Sequence, residues 1–192
     1  DPALVRSGRL DRRFEIALPD EPALLRILAH HAPDVAARRQ AWFHPYHDAL
    51  SGEVERLRAM HDRIVVYDCH SIRSRVPRLF EGELPELNIG TDGGRTCDGA
   101  LSDAVVSAAS VRPHVLNGRF RGGWTTRHYG RPEEGIHAVQ MEIAMRAYLA
   151  EPEAVPDERN WPPTYDPERA APLRAVLGDV LAAALDFAKG RS

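Results

Sequence analysis

The sequence predicts an α/β domain in which a mixed, largely parallel sheet is flanked by helices. Two observations predict it. Short β-branched runs that end in polar residues, such as Ile64 to His70 and Pro113 to Asn117, read as buried strands. Stretches with helical apolar spacing separate them, as expected when crossovers return the chain to the same sheet. The length of 192 residues fits one domain, residues 1–192, against a prior of about 150 residues per domain.

Taken in order, residues 1–20 have no clear period and hold Gly8 and Pro19, so they read as irregular. Leu24, Leu25, Ile27 and Leu28 predict a short helix over 21–31. A longer helix follows from about Pro33 to Met60, with Pro45 expected to kink or split it. Its second part carries a stripe of Leu50, Val54 and Leu57, with Met60 one step off. Ile64 to His70 is the first strand. Residues 71–99, rich in Gly, Pro and charge, read as one long loop, of a length that is usually functional or disordered. Leu101 to Ala109 reads as helix, and Pro113 to Asn117 as the second strand. Residues 118–135 form a glycine-bearing loop. Ile136 to Ile143 fits strand or helix, and Ala144 to Leu149 fits helix. A proline-rich connector then leads to an amphipathic helix from about Glu168 to Lys189.

Composition narrows the function classes. With 25 basic against 28 acidic residues the net charge is −3, too balanced for nucleic acid to be the default partner. No apolar run approaches the ~20 residues needed to span a bilayer, and the first residues do not read as a secretory leader. Cys69 and Cys97 are not a CxxC pair and read as reduced thiols of a cytoplasmic protein. Lys189 is the only lysine, so a basic group that binds substrate here is expected to be a guanidinium.

Polar residues cluster at the carboxyl ends of the expected strands, where open α/β sheets bind ligands. These are Asp68, His70 and Ser71, then Asn117 and Arg119, then Gln140 and Glu142. Asp68 lies two residues before His70 and so on the same strand face, the arrangement of a metal-ligating imidazole oriented by a carboxylate. A histidine satisfied by its neighbours has the same spacing. Glu142 lies among apolar neighbours, where lost solvation raises a carboxyl toward the range of a general base; it also fits a wet helix face paired with Arg146. Asn117 to Gly130 sets arginines among glycines that allow close backbone approach, which suits a carboxylate ligand, but matches neither a phosphate-binding loop nor a dinucleotide fingerprint. His44 and His47 are three apart, not the spacing of a zincin helix.

Several longer segments then occur in order: Trp42-Phe43-His44-Pro45-Tyr46-His47, Asp68-Cys69-His70-Ser71-Ile72-Arg73-Ser74, Pro77-Arg78-Leu79-Phe80, Leu87-Asn88-Ile89-Gly90-Thr91, Val115 to Trp124, Thr126-Arg127-His128-Tyr129-Gly130, and Gln140-Met141-Glu142-Ile143. Together they resemble the N-formylglutamate amidohydrolase (deformylase) family from about Arg39 to Leu149. The resemblance implies a fold like that of the zinc carboxypeptidases. It also implies hydrolysis of N-formyl-L-glutamate to formate and L-glutamate, a step of bacterial histidine degradation. It implies Zn2+ or another divalent metal held in part by His70, with Asp68 and Ser71 supporting it. Glu142 would be the catalytic acid/base. Arg127, with Arg73 or Arg119, would hold the carboxylates, and Asn117 would orient the substrate. The family's Pro-His-Ser/Thr-Gly and Asp-Leu-Asn-Arg motifs have no match in residues 1–38, which hold His30 and His31.

Two function classes follow. One is a metal-dependent amidohydrolase; the other is a non-catalytic or truncated member that binds an acidic N-acyl amino acid without metal. Either takes a small acidic molecule, not nucleic acid or membrane, and either allows a homo-oligomer.

Overall fold

The structure is a computed structural model that describes Arg26 and residues 35–152 and 156–190. The chain divides into two compact units, Asp1–Ser51 and Gly52–Ser192. The irregular start and, apart from a helical Arg26, the short helix expected over 21–31 lie outside the described residues.

The long first helix is interrupted, as Pro45 predicts. Helix α1 (Val35–Arg38) runs into a π-helical stretch, Arg39–Phe43, before α2 (His44–Arg58). Pro45 has no N–H to return to the carbonyl four residues back. The ladder widens just before it, where the His44 N–H reaches Arg39 O. Of the expected stripe, Val54 is buried, Leu50 and Leu57 are half-buried and Met60 is exposed.

In Gly52–Ser192 a four-stranded sheet has the order β1-β4-β2-β3. Strand β1 spans Ile64–Ile72, β2 Leu87–Gly90, β3 His114–Leu116 and β4 Ile136–Ala144. β1 pairs with β4 and β2 with β3 in parallel, while β2 and β4 are antiparallel. The sheet is therefore mixed and largely parallel, as expected. Helices α3 (Gly99–Ala109), α4 (Trp124–Tyr129) and α5 (Pro167–Ala188) complete the unit. Asp98 caps α3 by accepting the Ala100 N–H, and Asp166 caps α5 through the N–H groups of Glu168 and Arg169.

Three readings of the sequence need correction, and one left open is settled. The loop expected over 71–99 contains β2, an inner strand whose four residues are all buried. Leu87-Asn88-Ile89-Gly90 is too short and too glycine-bounded to declare itself, and only pairing on both edges makes it a strand. The loop over 118–135 contains α4. Ile136–Ala144, open between strand and helix, is strand, because β1 and β2 flank it. The helix over 144–149 is a single 3-10 turn, Met145–Ala147.

Alternation along the strands sorts the side chains onto two faces. Val65 and Tyr67 of β1, Leu87 and Ile89 of β2, and Val139 and Met141 of β4 pack in one core with Leu101 and Val105 of α3 and Leu173, Val176 and Val180 of α5. The intervening residues, Asp68, His70, Asn88, Gly90, Gln140 and Glu142, occupy the opposite face, where α4 packs on β1 and β4.

Candidate active site

Strand register assembles this face into two rows. Asp68, Gln140 and Gly90 are partners across β1, β4 and β2, and His70, Glu142 and Asn88 form the next row. Residues far apart in sequence are thereby neighbours without any loop holding them.

The His70 ring is half exposed, and its Nε2 lies 2.9 Å from Asp68 Oδ1. A carboxylate only accepts, so Nε2 carries the proton. Nδ1 makes no hydrogen bond among the described residues. The other oxygen of Asp68, Oδ2, accepts from Thr126 Oγ1 at 3.1 Å, which ties the aspartate to α4.

Glu142 is 7% exposed. Burial holds its carboxyl above the ordinary carboxylate range, against the pull of His70 and of the hydrogen bond from Gln140. That hydrogen bond runs from Gln140 Nε2 to Glu142 Oε2 at 3.3 Å. A buried carboxyl with raised proton affinity beside an imidazole is suited to general acid/base work.

The glycine–arginine loop closes over the first row. Gly90 is required there, since a Cβ on it would lie 2.6 Å from Gly122 N and 2.7 Å from Arg121 C. Gly122 itself has φ +118°, a conformation open to glycine. The Gly123 N–H donates to Gln140 Oε1, and the Arg127 Nη1 donates to Gly122 O at 2.8 Å. Arg127 is exposed, with the rest of its fork unengaged among the described residues. Arg119 is exposed and makes no hydrogen bond among them.

Three candidates from the sequence are placed elsewhere. Ser71 follows His70 and so falls on the opposite strand face, where it accepts from Tyr148 Oη at 2.9 Å; it does not support the imidazole. Arg73 faces Glu151, 3.5 Å from Nε, and donates to Pro152 O at 3.1 Å, so its charge is already offset. Asn117, at φ +53°, accepts the Thr91 and Gly93 N–H groups at 2.9 and 3.2 Å and donates to Thr91 Oγ1 at 2.8 Å. Its amide is committed to shaping the turn after β2.

Asn88 lies within a resemblance segment but is not singled out by the sequence as a site residue. It is 1% exposed, and its Nδ2 donates to Pro85 O at 2.9 Å and to the backbone carbonyl of Glu142 at 3.1 Å. Its buried Oδ1 has no partner among the described residues. Its signal would have been β2, which the sequence pattern hid.

The sequence profile of the N-formylglutamate amidohydrolases matches residues 17–149. The chain belongs to the N-formylglutamate amidohydrolase family. It is 43% identical over 150 residues to an N-formylglutamate deformylase of Pseudomonas aeruginosa, covering 77% of this chain and 53% of that protein. A deformylase of Pseudomonas putida is 43% identical over 155 residues, covering 79% of this chain and 55% of its own length. The chain thus spans about half the length of these relatives. Among solved structures, an N-formylglutamate amidohydrolase from Ralstonia eutropha JMP134 shares the fold, with a TM-score of 0.61 at 21% identity over 82% of this chain and 54% of that one.

A catalytic zinc in a protein site takes three side-chain ligands and keeps one position open. Among the described residues of this family member no group of three or more His, Cys, Asp or Glu side chains could hold a metal. His70 offers one nitrogen, Asp68 is bound on both oxygens, and Glu142 is engaged by Gln140. These residues do not amount to a zinc site. Among them, also, no helix is long and apolar enough to cross a membrane.

Proposed function

We propose that this protein takes part in the hydrolysis of N-formyl-L-glutamate to formate and L-glutamate, with Glu142 as the catalytic acid/base. The carrying observation is the buried Glu142 carboxyl set beside His70 by strand register. The names and identity of the Pseudomonas relatives support the substrate. His70 is the donor that these residues would contribute to a zinc ion.

Glu142, its proton affinity raised by burial, takes a proton from the attacking water as the water oxygen adds to the formyl carbon. The same proton passes to the departing nitrogen, which leaves as the amine, and the formic acid formed releases its remaining proton to solvent as formate. Asp68 holds the His70 imidazole in place by its hydrogen bond to Nε2, which leaves Nδ1 as an acceptor. Arg127, next to the loop over Gln140, offers a guanidinium for a carboxylate of the substrate. The reading also places the protein in the cytoplasm.

The shortfall of metal donors among the described residues favours a second reading, a binder of an acidic N-acyl amino acid without turnover. Formate release from N-formyl-L-glutamate, with and without added zinc, separates them. Release that Glu142→Gln abolishes supports the hydrolase. Tight binding without release supports the binder.

A further inference from the structure

Gln140, a member of the first row, lies between the glycine loop and Glu142. It is 5% exposed and sits on β4, two residues from Glu142 and on the same strand face. Its Oε1 accepts the Gly123 N–H, and its Nε2 donates to Glu142 Oε2 at 3.3 Å. A backbone N–H can only donate, so the Gly123 bond fixes which end of the amide faces the loop. The NH2 group is then obliged to face Glu142, leaving Oε1 of that carboxyl for other partners.

The loop cannot shift at Gly123 without Gln140 feeling it. Gly122 lies flat on Gly90, the Asp92 N–H is bound to Arg121 O, and Arg127 holds Gly122 O. Gly123 is also the N-cap of α4, whose Thr126 holds Asp68. Arginine loop, amide and carboxyl are therefore joined by direct hydrogen bonds through a buried side chain.

We propose that Gln140 is a positioning residue that couples the glycine loop and α4, which bears Arg127, to the orientation of the Glu142 carboxyl. A carboxylate held by Arg127 thereby sets the carboxyl that works on the other end of the same small molecule. The roles of the two ends rest on the hydrolase reading; the coupling itself does not.

The experiment measures hydrogen exchange of the Gly123 amide in the ligand-free chain, so it needs no activity. Glu142→Met keeps the bulk at 142 and removes the acceptor, leaving Gln140 anchored at one end. Gly123 exchange is expected to quicken about fivefold, the scale of one hydrogen bond, while Glu142→Gln, which keeps a carbonyl acceptor, stays native-like. Unchanged exchange in Glu142→Met overturns the coupling. Where the native chain releases formate, Gln140→Met is expected to lower kcat and raise KM together. A rise in KM alone reduces Gln140 to a loop anchor and also overturns the proposal. A native chain that releases no formate sinks the hydrolase reading, and the exchange result still judges the coupling.

Discussion

His70 and Glu142 face each other across β1 and β4 as register partners in a parallel pair. Seventy-two positions separate them in the chain, yet no flexible segment lies between their Cα atoms in space. Groups mounted on paired strands keep their spacing far better than groups on loops, and acid/base chemistry depends on that spacing.

Glu142→Gln should keep the fold and lose the proton acceptor. The amide oxygen can still accept from Gln140 Nε2, but it cannot take a proton from water. We expect kcat for formate release to drop by about 10²–10⁴-fold. Substrate binding, read by calorimetry, should change little. Near-native turnover in this variant would remove Glu142 from the mechanism.

Two arginines that the sequence offered for the substrate carboxylates, Arg127 and Arg73, can be told apart. Arg127→Ala should raise KM for N-formyl-L-glutamate by about tenfold or more, through loss of a charge-assisted carboxylate bond. Arg73→Ala removes a partner of Glu151 and Pro152 O instead. It should lower Tm and leave KM in place. The reverse pattern would move the carboxylate subsite to Arg73.

Gly90→Ala tests the close approach of loop and sheet. The added Cβ meets backbone atoms of Arg121 and Gly122, at 2.7 and 2.6 Å, and neither is the end of a flexible side chain. The loop must lift. We expect a loss of about 1–3 kcal/mol in urea unfolding, typical of overpacking. Faster exchange at Gly123 should accompany it, because the same lift strains the bond to Gln140.

His137 supplies a pH dependence of stability. It lies on the helix-facing side of β4 with its ring edge-on to Phe187, and Nδ1 accepts the Asp98 N–H at 3.1 Å. Burial holds its protonation below the ordinary histidine range, so the unfolded chain binds the proton more tightly. The contribution is whole above the unfolded value of about 6.5 and is lost as pH falls through the folded one. Tm should fall from pH 7 to pH 5 more steeply in the native chain than in His137→Gln, which keeps an acceptor that does not titrate. Equal slopes would show that His137 has no part in acid sensitivity.

How much of this was legible in the sequence varies with the physics of each element. β1 and α5 were readable because a β-branched run and a long apolar period are local signals. Pro45 announced its own break. β2 was not readable, since four residues bounded by Pro85 and Thr91 hold no period long enough to see. Asn88, though within a resemblance segment, was therefore not placed on the site face. Asp68 and His70 could be placed on one face from their spacing, and the same rule, applied one residue further, puts Ser71 on the other.

The sequence by itself determined the family, the mixed and largely parallel sheet, and the short list of residues with chemistry to offer, because residue type and local spacing carry that information. Only the tertiary structure decided which of them meet. Whether Glu142 is a solvated helix residue or a buried strand carboxyl depends on β1 and β2 lying on either side of it. Whether an arginine awaits a ligand depends on a distant glutamate: Arg73 has Glu151, and Arg127 has none among the described residues. Burial and charge pairing are properties of neighbours brought in from elsewhere in the chain, and no local pattern encodes them.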